Sequence, residues 1–247
     1  MKKVLLLLLF LLTSLLAETE QMKTVKLYSR LFGKLSVEQK MIFIASYKSG
    51  AKEGLGITQA AIVWKESTYG KHLINDKDGQ FGSFGIGQIL LTTSMLRHNV
   101  TSIKDRIKLR EKLLTDNAFN LKEGLEELKY WRKVHRDIYK RKQWLKWTIA
   151  SYNNGNKSYE TKKGQKYAND VMLRMEAIKH YFKNYEGDED NKILTQHFLV
   201  IKYHMFPELK NLKNRGIEKE KKAKEKKETK PKPKPKPKKT EKKVEKK

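Results

Sequence analysis

The sequence predicts a mainly α-helical domain followed by a disordered basic tail, and three observations carry that expectation. From residue 18 to residue 217 proline occurs only at Pro207, so few residues are barred from helix. Over the same stretch apolar side chains recur at three- and four-residue spacing, the period of a helix with one buried face. From Glu218 to Lys247 apolar residues all but vanish, with only Ala223 and Val244 among sixteen lysines and six glutamates. A segment of that composition cannot bury a core, and its alternating Pro231, Pro233, Pro235, Pro237 and lysines favour extended polyproline II.

The elements follow in chain order. Lys2 and Lys3 precede an unbroken apolar run, Val4 to Leu12, and Ala17 stands before the polar Glu18-Thr19-Glu20. A basic start, an apolar stretch of roughly 7–15 residues and a small residue before a polar one make a secretory signal peptide over residues 1–17. The run is shorter than the ~20 residues a membrane-spanning helix needs. Residues 18–34 read as an N-terminal extension. Ser36-Val37-Glu38-Gln39 is a capping-box pattern opening a helix that carries Met41, Ile42, Ile44 and Ala45, and Gly50, Gly54 and Gly56 interrupt it. Thr58 is expected to cap a second helix running through Ala60, Ala61, Ile62, Val63 and Trp64 to Glu66. Further helical patterns cover Ile103 to Leu114, Ala118 to Val134, Gln143 to Asn153 and Gln165 to Tyr185. Residues 193–205 fit helix or strand equally. The domain is therefore placed at 35–185, with a C-terminal extension at 186–217 and the tail at 218–247.

Composition narrows the function. The chain has 247 residues, a formal charge of +27 and no cysteine, which excludes thiolate metal sites, cysteine nucleophiles, disulfides and a lipid-modified cysteine. Such a positive field in the cytoplasm would point first to nucleic acid. Export removes most of that expectation, so no nucleic-acid partner is predicted. The remaining polyanions are the peptide carboxylates of the cell wall and the phosphates of membrane surfaces, which the tail would hold electrostatically.

The chemistry points to Glu66. It falls four residues after Ile62 and three after Val63, so its carboxyl leaves an apolar helix face. Desolvation there raises a carboxyl's pKa and keeps it protonated near neutral pH, as the general acid of a glycosidic cleavage requires. The segment Asp78 to Ile89 is rich in glycine and aromatic residues, suited to close backbone approach and to stacking on sugar faces. It lacks the Lys-Ser/Thr ending of a phosphate loop, and Asp76 and Asp78 lack the alternating ligands and terminal Glu of a calcium loop. The six histidines show no metal-ligand spacing and read as surface or packing residues.

Taken together, Glu66-Ser67, Gly85-Ile86-Gly87-Gln88-Ile89 and Ala150-Ser151-Tyr152-Asn153-Asn154-Gly155 resemble, in order, three motifs of the soluble lytic transglycosylase family. Asn120 and Gly124 are similar to the Asn and Gly of that family's intervening helix. The resemblance implies a lysozyme-like fold related to goose-type lysozyme, and as substrate the peptidoglycan strand of alternating N-acetylmuramic acid and N-acetylglucosamine. It implies that Glu66 is catalytic, that Ser67 orients its carboxyl, and that Gln88, Tyr152 and Asn153, with Gly85 and Gly87, form the sugar cleft. Gly87 replaces the family's methionine, and Ser151 a usual alanine. Glu160-Thr161 followed by Tyr167-Ala168 resembles a Glu-Thr-Arg segment before a Tyr-Val pair, at altered spacing.

No cofactor or metal is required. Hydrolytic glycosidases normally use two carboxylates, whereas a lytic transglycosylase manages with one, because the substrate's own C6 hydroxyl attacks and closes a 1,6-anhydro ring. Two other readings compete with it. One is a goose-type lysozyme in which Asp76 or Asp78 activates a water, and the other is a non-catalytic wall-binding protein.

Overall fold

The computed structural model describes residues 19–136, 141–187 and 191–209. The signal peptide expected at 1–17 and the basic tail expected at 218–247 lie outside the described residues. The described chain is mainly α-helical. Helix α1 (19–33) leads into α2 (Val37–Ala51), α3 (Gly56–Ser67), strands β1 (Ile74–Asn75), β2 (Ser83–Phe84) and β3 (Ile89–Leu90), then α4 (Leu91–Arg97), α5 (Ile103–Thr115), α6 (Asn117–Arg136) and α7 (Arg141–Asn154). A 3₁₀ turn at Ser158–Glu160, α8 (Lys162–Lys183) and α9 (Lys192–Met205) complete the order. The chain divides into two compact units, one ending at Lys202 and one beginning at Tyr203. Of the second, residues 203–209 are described, helical at 203–205 and 207–209.

The capping box forms at α2: the Ser36 hydroxyl accepts from the Gln39 backbone N–H at 3.3 Å, and the Gln39 side chain accepts from the Ser36 N–H at 3.0 Å. Helix α3 begins at Gly56 rather than at Thr58. Its N-cap is Leu55, which makes no side-chain cap and is anchored in the core at 1% exposure. Gly54, at φ +68°, turns the chain early enough for the helix to start there, and Thr58 ends up buried inside it. Ala60 to Trp64 are all buried. A helix apolar all round belongs at the centre of its domain, and α3 packs on α2 and α8.

An aromatic cluster holds these helices. The Phe32 ring of α1 meets Phe43 of α2 edge-on at 4.9 Å and Trp64 of α3 at 5.5 Å. Phe182 of α8 lies 4.9 Å from Phe198 of α9, and all four phenylalanines have no exposed surface. Residues expected to be extensions on either side of 35–185 thus supply core side chains. The ambiguous stretch at 193–205 is helix because Leu194, Phe198 and Ile201, at helical spacing, are its buried face.

The three strands form an antiparallel sheet in the order β1-β2-β3, with Ile74 opposite Phe84 and Phe84 opposite Ile89. A second small core of Phe84, Ile89, Leu91, Leu109 and Leu113 joins the sheet to α4 and α5. A cleft lies between this lobe and the helices around α3.

Candidate active site

Glu66 sits on the last turn of α3, and the chain leaves that turn abruptly. Thr68 and Tyr69 both have φ 52° and Gly70 has φ 91°, three left-handed residues in a row, which non-glycine residues adopt only when their surroundings enforce it. The enforcing contacts are visible. Gln39 donates from its amide to the Thr68 carbonyl at 2.8 Å, and the Tyr69 ring stacks on Trp64 at 6.2 Å. Ser67, fully buried, donates to the Val63 carbonyl at 3.2 Å and accepts from the Gly70 N–H at 2.9 Å. Ser67 therefore builds the turn: its hydroxyl is bonded to backbone, neither orienting the Glu66 carboxyl nor lining the cleft.

The Glu66 carboxyl is half-buried and accepts a short hydrogen bond from the hydroxyl of Tyr167 on α8. Burial among protein atoms pushes its pKa up to about 7, against the opposing pull of the Tyr167 bond and the nearby Lys65 charge, while the negative charge of Asp78 adds to the rise. At neutral pH the group is poised between acid and base, the condition for doing both jobs in one cycle.

A cleft opens on this carboxyl, lined by Glu66, Asp78, Gln88, Glu127, Tyr152 and Asn153 together with Ile89, Leu90 and Thr93. Its glycine-rich wall is built around Asn120 of α6. The buried Asn120 amide donates to the carbonyls of Phe84 at 2.8 Å and Leu113 at 3.0 Å, and accepts from the Gly87 N–H at 2.7 Å. Gly85 has φ +78°, and a methyl group there would lie 2.1 Å from the Asn120 amide and 2.2 Å from the Leu113 carbonyl. Only glycine fits. Tyr152 of α7 donates to the Gly87 carbonyl at 2.9 Å, its hydroxyl passing through a slot where a Cβ on Gly124 or Gly87 would lie 3.0 or 3.2 Å away. Gly87 thus leaves room for a tyrosine hydroxyl in close approach.

Gln88, at φ 50°, lines the cleft, but its amide is engaged. It donates to the carbonyls of His72 at 3.2 Å and Gly85 at 2.9 Å, and accepts from Ser83 at 3.1 Å. Gln88 therefore closes the turn as well as facing the cleft. Ser151 is fully buried and bonds His135 across 2.9 Å, which explains the serine at that position and makes His135 a packing residue, its pKa lowered by burial.

The structure thus brings together Glu66, Gln88, Tyr152 and Asn153 on the cleft, whereas Gly85 and Gly87 are buried behind Gln88, packed against Asn120 and Tyr152, and do not line it. Asp78 also reaches the cleft, whereas Asp76 and Glu160 are exposed away from it. Sequence reasoning did not select Glu127. It accepts from Trp131 at 2.6 Å and pairs with Arg97 at 2.9 Å, and Arg97 also holds the buried Glu123 at 2.7 Å. The repeat Glu123-x-x-x-Glu127 on one helix face was its only signal. Tyr167 was noticed only as half of a Tyr-Ala pair, and nothing local indicates that it reaches Glu66 across 101 positions. Among the described residues no group of three or more His, Asp or Glu side chains is arranged to hold a metal ion.

Over 141 aligned residues, which cover 55% of this chain and 68% of the other, the chain is 29% identical to an uncharacterized 20.7 kDa protein of the vs-regB intergenic region of Enterobacteria phage T4. No family model matches the chain. No solved structure matches it.

Proposed function

We propose that the protein is a peptidoglycan lytic transglycosylase, cleaving the β-1,4 bond between N-acetylmuramic acid and N-acetylglucosamine with a lysozyme-like helical domain. The observation that carries this reading is the half-buried, tyrosine-bonded Glu66, with a pKa of about 7, on a cleft lined by Gln88 and Ile89 of the Gly85-Ile86-Gly87-Gln88-Ile89 segment and by Tyr152-Asn153 of the Ala150-to-Gly155 segment. These are the motifs by which the chain resembles that family. The apolar run after Lys2 and Lys3 supports export to the compartment that holds the substrate.

In this mechanism the protonated Glu66 gives its proton to the glycosidic oxygen as the bond to C1 of the muramyl unit breaks. The resulting Glu66 carboxylate then takes the proton of the C6 hydroxyl on the same sugar, and that oxygen bonds to C1 to give the 1,6-anhydro ring. Donor and acceptor are one group, so no net proton is consumed and no water enters. Tyr167 holds the carboxyl in place and, by donating to it, stabilises the charged form between the two steps. Tyr152 and Asn153 border the sugar.

One observation favours a second reading, hydrolysis by a goose-type lysozyme. Asp78 lines the same cleft and its charge is felt at Glu66, so a second carboxylate is at hand. Mass spectrometry of products from purified peptidoglycan separates the two, since anhydro ends mark the transglycosylase and reducing ends the lysozyme. Glu66→Gln should lower the rate by at least ~10² in either case, and near-normal activity in a folded Glu66→Gln protein would remove the site assignment.

A further inference from the structure

Beside the cleft runs a second, open groove, lined by Tyr28, Lys65, Lys162, Lys163, Lys166 and Asp170 along with Asn153 and Tyr167. Asn153 belongs to both depressions, and Tyr167, on the groove wall, is the residue that bonds Glu66. The groove therefore continues the cleft past the acid.

Its charge is unbalanced. Asp170 is its acidic group and is already neutralised, by Lys65 at 2.6 Å, Arg174 at 3.6 Å and a hydrogen bond from Tyr28 at 2.7 Å. The causes that lower the Asp170 pKa against burial are these same neighbours. Lys162, Lys163 and Lys166 are exposed and form no ion pair among the described residues. All three stand in the first turns of α8, which has no acidic residue in its first turn. Cations there oppose the positive end of the helix dipole, an arrangement that costs stability unless an anion arrives. The first turn is already capped internally, because Thr161 accepts from the Gly164 N–H at 3.0 Å, so the free positive charge is on the side chains.

We propose that this groove binds the carboxylate-bearing peptide branch of the glycan, so that the enzyme selects muramyl units that still carry their peptide. The proposal rests on the reading of the cleft as a peptidoglycan site and adds a polyanionic peptide as the second ligand feature. In the peptide-bearing strand the amino sugars are acetylated and each muramyl lactyl carboxyl is tied up in the amide to the peptide, so the glycan backbone itself offers no charge to three lysines. Its peptide side chain does, and leaves the strand at the muramyl unit whose bond the cleft would break. Lysines suit this task, since flexible point charges follow a peptide whose carboxylates are spaced irregularly.

The test has two arms. In the first, free stem peptide released from purified peptidoglycan by an amidase is titrated at low salt into the whole protein, into the Lys162→Gln/Lys163→Gln/Lys166→Gln variant, and into a Lys104→Gln/Lys108→Gln/Lys133→Gln variant with the same net charge. Affinity should fall about tenfold for the first variant and stay near wild type for the second, as expected for a few solvent-exposed ion pairs. In the second, the ratio of kcat/KM on peptide-bearing glycan to amidase-stripped glycan, the latter with its freed lactyl carboxyls capped as methylamides, is compared between wild type and the groove variant, and should drop toward one. Equal peptide affinity in all three proteins, an equal loss in both variants, or an unchanged ratio would overturn the proposal. Lysine-dependent peptide binding by a wild type that cleaves neither glycan would instead overturn the transglycosylase reading and leave the groove's ligand in place.

Discussion

At the scale of single residues the decisive quantity is the proton on Glu66. Its pKa in the folded chain is about 7, above that of a solvated carboxyl, so the native state holds a proton that the unfolded chain releases between those values. The stabilisation this brings is full below about pH 4 and is lost as pH rises through 7. Glu66→Gln is therefore expected to stabilise the protein at pH 8, by on the order of 2 kcal/mol, and to leave it nearly unchanged at pH 4. Urea unfolding at the two pH values measures this, and a stability difference of the same size at both would contradict it. In the proposed reaction, catalysis would follow the same proton. If the protonated form is the acid, kcat/KM declines above about pH 7, and Tyr167→Phe, which removes a bond favouring the carboxylate, shifts that decline to higher pH. A pH–rate profile that moves downward in Tyr167→Phe would exclude the assigned role. Glu66 was legible in the sequence from its place after Ile62 and Val63. Tyr167 as its partner was not, because that contact joins α3 to α8 and has no local pattern.

At the scale of elements, the cleft wall depends on one asparagine filling the space that one glycine leaves open. Gly85→Ala puts a methyl group against the Asn120 amide and the Leu113 carbonyl in a backbone conformation alanine resists, and should cost about 3 kcal/mol or more. Asn120→Ala leaves two buried carbonyls and the Gly87 N–H without their partner, and should cost a similar amount, about 2–4 kcal/mol. Because the two residues occupy the same space, the double variant should lose less than the sum. Thermal unfolding of the three proteins decides, and full additivity would mean the wall is not built around this contact. Helices α2, α3 and α5 to α8 were readable because an apolar period of 3.6 survives over ten or more residues, and the α2 capping box was readable from Ser36 and Gln39 alone. Helix α1 and the seven-residue α4 were not read as helices, and α9 stayed open between helix and strand. The three strands were not, since two residues carry no period. Thr58 misled because a good cap residue is also a tolerable buried one when the preceding glycine lets the helix start earlier.

At the scale of the whole molecule, charge is the governing property. Deleting residues 218–247 removes sixteen lysines and six glutamates, a net ten positive charges. If the tail attaches the protein to anionic wall or membrane, this truncation should weaken sedimentation with cell walls or anionic vesicles. The difference should shrink at high salt, where such contacts are screened beyond ~10 Å at 0.1 M. Equal sedimentation of both forms at low salt would rule the tether out. The described domain should fold the same with or without it, by circular dichroism.

What the sequence determined by itself was whatever depends on neighbours along the chain: the helical class, the capping of α2, the apolar surroundings of Glu66 and the glycine-rich segment that no helix interior tolerates. What only the tertiary structure decided depends on side chains brought together from distant elements. Phe32 and Phe198 complete a core whose boundaries looked narrower, Ser67 turns to the backbone instead of to Glu66, and Glu127 arrives in the cleft on α6. Tyr167 reaches Glu66 from α8, and Lys162, Lys163 and Lys166 come to lie along a groove that shares Asn153 with the cleft. Local periodicity records which face of a helix is buried, but not which residue of another helix will be buried against it. Both the acidity of Glu66 and the unbalanced charge beside it are set by that second choice.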